Sequence, residues 1–182
     1  MTKKTLIVHG WGGSDFPHWQ SWLATEIAKD YGYVHFLRFT NFEYPDFNTW
    51  KSELKECLEE FQPDIVVCHS IANIVWFHLC NDEKIQSIKK LYLVAPPSLS
   101  CDIKELESFY PIKIPKKLFS KETLLITSTN DPYMSIDEAN KLFNTLSEKD
   151  LNIKMEVLQD GGHINTDSGF GEWQWLLEQV KA

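Results

Sequence analysis

The sequence predicts a doubly wound α/β domain, a mostly parallel sheet of about six strands with helices on both faces. Three observations carry this. Short apolar runs alternate with amphipathic stretches from one end of the chain to the other. The apolar runs are near-continuous, as in strands covered on both faces. The stretches between them repeat their apolar residues at helical spacing over about 10 to 15 residues, the length of a crossover helix between parallel strands. With 182 residues, 43% of them apolar, the chain suits a single domain over 1–182. No internal repeat, linker or low-complexity tract divides it.

Taken in order, TLIVH (5–9) is a buried strand, followed by the glycine-rich GWGGSDFP. HWQSWLATEIAKDY then sets Trp19, Leu23, Ile27 and Ala28 on one helical face. YVHFLRF (33–39) is rich in β-formers. DFNTWKSELKECLEEF (46–61) places Trp50, Leu54, Cys57, Leu58 and Phe61 on one stripe with charges opposite. DIVVCH is a third strand and IANIVWFHLC a mostly apolar, buried helix. KKLYLVA (89–95) and ETLLITST (122–129) are further strands. Between them, Pro96, Pro97, Pro111 and Pro115 indicate loop, with a short helix around 102–109. A helix over 135–149 has Ser135 as N-cap and Glu138 at the capping-box position. IKMEVLQ (153–159) is the last strand and GEWQWLLEQV (171–180) the last helix. The stretch 96–120 has room for a small flap over the strand ends but no large cap domain.

Composition removes several function classes. The net charge is -8 and Arg38 is the only arginine, so there is no basic surplus for nucleic acid. The apolar run at the start ends after Val8, too short for a signal-peptide core, and no stretch approaches a membrane span. The four cysteines, Cys57, Cys68, Cys80 and Cys101, form neither a C-x-x-C pair nor a zinc-ligand pattern. They read as free thiols in a reducing, cytoplasmic setting, with no metal or cofactor implied.

In a doubly wound sheet, reactive groups belong on loops just past the carboxyl ends of strands. Ser70 follows DIVVCH, Asp131 follows ETLLITSTN, and His163 follows IKMEVLQDGG. A serine hydroxyl becomes a useful nucleophile when an imidazole accepts its proton. A carboxylate then fixes the imidazole tautomer and stabilises the imidazolium. Each residue also has a plainer reading. Ser70 is a good helix N-cap, NDPY a good turn, and Asp160 and Asp137 are rival carboxylates. His69 is expected to point away from Ser70, His9 to brace the glycine loop, and Cys68 to pack inertly within the strand.

HGWGGS, HWQSWL, CHSIA, STNDPY and GGHINTDSGFGEW together resemble the small serine hydrolases of the retinoblastoma-binding protein 9 and YdeN type, a compact branch of the α/β-hydrolase superfamily. The residues that follow strands also come in that superfamily's order, serine, acid, histidine. The usual G-x-S-x-G is replaced here by CHSIA, with Cys68 and Ala72 as the small flanking residues. The resemblance implies Ser70 as nucleophile, His163 as general base and Asp131 as its orienting acid. It implies an oxyanion hole from the amides of Trp11 and Ile71, and a compact α/β-hydrolase fold.

The expected activity is cleavage of a carboxylic ester, or an amide or thioester, through an acyl-enzyme without metal or cofactor. The substrate is a small-molecule ester or a short peptide-like compound, with Leu99, Phe109 and Tyr110 as acyl-pocket residues in a shallow, open site. The alternative is a protein-interaction module on a hydrolase scaffold, with a protein partner and little turnover. A nucleotide-binding reading of GWGGS fails, because the string matches neither phosphate-loop pattern and no ribose-binding acid follows the second strand.

Overall fold

The computed structural model describes residues 3–82, 84–148 and 152–182. The first two residues of the chain, and the last residue of the helix expected over 135–149, lie outside these. Six strands form one wholly parallel sheet: β1 (Lys4–Val8), β2 (Tyr33–Leu37), β3 (Ile65–His69), β4 (Ile88–Val94), β5 (Ser120–Ser128) and β6 (Ile153–Leu158), in the order β2-β1-β3-β4-β5-β6. Among the described residues five α-helices accompany it: α1 (Trp19–Lys29), α2 (Phe47–Phe61), α3 (Ala72–Asp82), α4 (Ile136–Ser147) and α5 (Gln174–Lys181).

Successive side chains on a strand point to opposite faces, and this divides the core in two. Leu6 and Val8, Val66 and Cys68, Leu91 and Leu93, and Leu125 pack beneath α2, α3 and α4. Ile7, Ile65 and Val67, Tyr92 and Val94, and Ile126 pack against α1 and α5. Both sets are buried, which is why the central strands read as unbroken apolar runs. The edge strand β2 is exposed at alternate positions and reads less cleanly for that reason.

The helices follow their stripes, with corrections at the ends. On α1, Trp19, Leu23 and Ile27 are buried, but Ala28, one residue further round, is exposed. Trp50, Leu54 and Cys57 face the core from α2, which Asp46 caps by accepting from the Thr49 amide at 2.8 Å. Ser135 and Glu138 form the expected capping box on α4. Residues 171–173 precede α5 instead of opening it: Trp173 is its N-cap, with non-helical φ -122° and ψ 73°. The segment between β4 and β5 holds only a 3₁₀ helix, Lys104–Phe109, so no cap domain covers the strand ends. Among the described residues no helix is long and apolar enough to cross a membrane.

β1 and β3 lie side by side while their following segments lead to opposite parts of the sheet. This is the topological switch point, where the loops part and leave a crevice.

Candidate active site

Ser70, Asp131, His163 and the glycine loop beside them come from four loops, each just past a strand. β3 ends at His69, and the chain turns into α3 through Ser70 and Ile71. Ser70 has φ 56°, a left-handed conformation that costs a non-glycine residue about 1 to 2 kcal/mol. The turn is held by backbone and side-chain bonds that supply what glycine flanks would otherwise ease. The Ser70 amide donates to the Val94 carbonyl at 3.0 Å, and the Asn73 amide donates to the Ser70 carbonyl at 3.0 Å. Asn73 Nδ2 also donates to the Ser70 and Val94 carbonyls, at 2.7 and 2.9 Å. Cys68 and Ala72 are fully buried on either side, small enough for the turn to close. Burial pushes the Cys68 thiol well up, so it remains a packed, protonated group.

The loop after β1 approaches this turn closely. A Cβ on Gly10 would lie 2.7 Å from the Ser70 Cβ, so only glycine fits there. His9 braces the loop: its Nδ1–H donates to the Gly10 carbonyl at 2.7 Å and its Nε2 accepts from the Phe39 amide at 3.0 Å. That pattern needs a neutral ring, and burial lowers the His9 pKa accordingly. The loop also hangs on the chain after β2, through the Gly12 amide to the Phe42 carbonyl and the Trp11 indole to the Glu43 carbonyl, both at 3.0 Å. Neither the Trp11 nor the Ile71 backbone amide donates to a protein acceptor among the described residues.

The loops after β5 and β6 complete the group. Ser70 Oγ–H donates to His163 Nε2 at 2.8 Å. His163 Nδ1–H lies 3.0 Å from both oxygens of Asp131. The Asp131 side chain is 1% exposed and accepts a further bond from the Tyr133 amide at 2.9 Å. A buried carboxylate receiving the Nδ1 proton fixes the tautomer, which leaves Nε2 free to accept from the serine. The rival carboxylates are elsewhere: Asp137 is exposed in the first turn of α4, and Asp160 shapes a turn through its own amide, which donates to Thr129 Oγ1.

Several residues that sequence reasoning missed hold this arrangement. Asn130 Oδ1 accepts from the Gly162 amide at 2.7 Å and ties the acid's loop to the histidine's loop. Trp19 Nε1 donates to the Ile164 carbonyl at 2.7 Å, beside a β-branched residue with φ 51°. His69 does turn away from Ser70, and its Nε2–H donates to the His163 carbonyl at 3.0 Å. Burial, then the neighbouring His163 and His18, hold its pKa well below the usual range. Burial, followed by His163 and His9, lowers His18 to about 4. Asn73 and Asn130 act on carbonyls and amides that a linear sequence does not bring together. No motif announces Asn73, and Asn130 lies within STNDPY, where its role is not legible.

A cleft of about 770 Å³ opens beside Ser70. Trp11, Ile71, Asp131 and His163 line it, but Leu99, Phe109 and Tyr110 do not. Phe109 is fully buried against Trp50 and Phe47, with ring centroids 5.5 and 5.7 Å away. Tyr110 directs its hydroxyl to the Ser98 carbonyl, and Leu99 packs against the core beneath α2, α3 and α4. The apolar walls come instead from Ile103, Leu106 and Met134. Among the described residues, no group of three or more His, Cys, Asp or Glu is placed to hold a metal ion.

A parallel sheet with a strand-end serine, histidine and aspartate in this connectivity is an α/β-hydrolase architecture. A family model described as serine hydrolase matches residues 5–182, and the chain belongs to that family. The ydeN gene product of B. subtilis superposes with a TM-score of 0.85 at 19% identity, over 98% of this chain and 97% of that one. A YdeN-like hydrolase described as putative, from Pectobacterium atrosepticum, reaches 0.74 at 22% identity, over 99% and 89% of the two chains. A Pyrococcus furiosus esterase reaches 0.68 at 16% identity, over 99% and 80%. At these identities the structural likeness carries the fold. A comparison with curated proteins finds no match. The resemblance to small YdeN-type serine hydrolases therefore holds at the level of family and fold.

Proposed function

We propose that the protein hydrolyses carboxylic esters through an acyl-enzyme formed on Ser70. The observation that carries this reading is the unbroken chain from Ser70 Oγ through His163 to Asp131, at 2.8 and 3.0 Å, in a cleft open to substrate. His163 Nε2 takes the hydroxyl proton as Oγ attacks the carbonyl carbon, and Asp131 stabilises the imidazolium. The developing oxyanion lies between the Trp11 and Ile71 amides, which among the described residues have no protein acceptor to give up. Ile71 also stands at the N-terminus of α3, where the helix dipole favours negative charge. His163 then protonates the leaving group and, once a water has entered, takes that water's proton as it attacks the acyl carbon. Collapse of the second intermediate returns the proton to Ser70 and frees the acid. The esterase description of the Pyrococcus furiosus neighbour supports an ester over an amide.

Labelling with a fluorophosphonate probe, followed by intact mass and peptide mapping, tests this. The expected result is one adduct, on Ser70, absent from Ser70→Ala, with ester turnover reduced by up to about 10⁶. A folded wild type that takes no label would rule the reading out and favour a binding role for the cleft.

A further inference from the structure

The cleft beside Ser70 has two parts with different chemistry. Its floor is buried and apolar, made by Ile71, Pro97, Leu106 and Met134. Its rim carries the carboxylates of Asp102 and Glu138 among the hydroxyls of Ser98, Ser100 and Ser135. Among the described residues no lysine or arginine lines it. Lys104 and Lys141, on the flanking helices, are exposed and stand outside the lining.

The Glu138 carboxylate is fixed in place. Oε2 accepts from the Ser135 hydroxyl at 2.7 Å and from the Ser135 amide at 3.0 Å, while Oε1 accepts from the Ser98 hydroxyl at 2.7 Å. Those bonds, the Ser135 hydroxyl first, hold its pKa below the usual carboxylate range, so it is charged at neutral pH. An unrestrained surface glutamate swings away from an approaching anion. Glu138 cannot, because the same atoms cap α4.

Taking Ser70 as the nucleophile, we propose that the cleft accepts esters of uncharged acyl groups with an apolar stem and rejects acyl chains that end in a carboxylate. Glu138 sets that selection and Asp102 reinforces it. The stem lies on Ile71, Leu106 and Met134, where each buried methylene is worth about fourfold in kcat/KM. Both carboxylates line the same cleft as Ser70. A cleft of about 770 Å³ has room for a terminal carboxylate, so size does not exclude it. Charge does: two like charges a few ångströms apart near a protein surface oppose binding on the order of tenfold or more.

Three p-nitrophenyl esters test this on the intact protein: hexanoate, the mono-ester of adipic acid, and the corresponding mono-ester of adipamic acid. The last is an uncharged isostere that controls for polarity and length. The expected result is kcat/KM on the order of tenfold higher for the adipamate than for the adipate at low ionic strength. That gap should narrow with added salt, in Glu138→Gln (which retains the cap geometry) and in Asp102→Asn. Equal rates for adipate and adipamate in the wild type, or a gap that neither substitution narrows, would overturn charge selection alone. Hydrolysis of none of the three, with no probe labelling, would overturn the nucleophile assignment and this inference with it.

Discussion

Ser70 occupies a conformation that L-residues avoid, and its side chain is the reason to tolerate it. Glycine enters the left-handed region without that cost. Ser70→Gly and Ser70→Ala should therefore both lose turnover, while the glycine variant is the more stable by about 1 kcal/mol. Denaturant melts of the two variants measure this directly. Equal stabilities would mean that the φ of 56° carries no strain in the folded chain. At this scale the sequence was readable where a residue follows a strand. Ser70, Asp131 and His163 all do, and the structure brings them within hydrogen-bonding distance. Asn73 was not readable, because its work is to hold two main-chain carbonyls that meet only in the folded elbow.

At the scale of elements, His69 ties the end of β3 to the loop after β6. It is covalently joined to Ser70 and donates to the His163 carbonyl, so it links the backbones of Ser70 and His163. We expect His69→Leu to lower kcat by about 10 to 100-fold with little change in KM, since small misplacements of reacting groups cost rates on this order. Glutamine retains an N–H donor, and His69→Gln should recover much of the loss. If the leucine and glutamine variants behave alike in kcat and in probe labelling, the bond does not position His163. The acyl pocket was misjudged at this same scale. Phe109, at the end of the short helix expected around 102–109, was read as an acyl-pocket residue, yet the 3₁₀ helix delivers it to the aromatic group of α2 and leaves Leu106 facing the cleft.

For the whole molecule, acid stability follows from histidines held neutral by burial. His9, His18 and His69 all have lowered pKa values, with burial as the leading cause. Below about pH 6.5 the unfolded chain protonates them while the folded chain does not, so stability present above that pH is lost as pH falls. For His18, which titrates at about 4 when folded, the loss amounts to about 3 kcal/mol between these limits. Thermal melts between pH 7 and pH 4.5 should show this decline before most carboxylates titrate. His18→Asn preserves an N-cap for α1 and should flatten the slope. An unchanged slope in that variant would remove His18 from the account.

The order of apolar runs and helical stripes by itself determined the wrapped parallel sheet, because burial on both faces leaves an unbroken apolar signature in each central strand. It also set Ser70, Asp131 and His163 on loops that leave from the carboxyl ends of strands. Only the tertiary structure decided which carboxylate meets His163, how an elbow without its usual glycines closes, and which side chains line the cleft. Those outcomes depend on distances between segments far apart in the chain. His163 and Ser70 are 93 residues apart and touch because β3 and β6, three strands apart in one sheet, both end at the same edge.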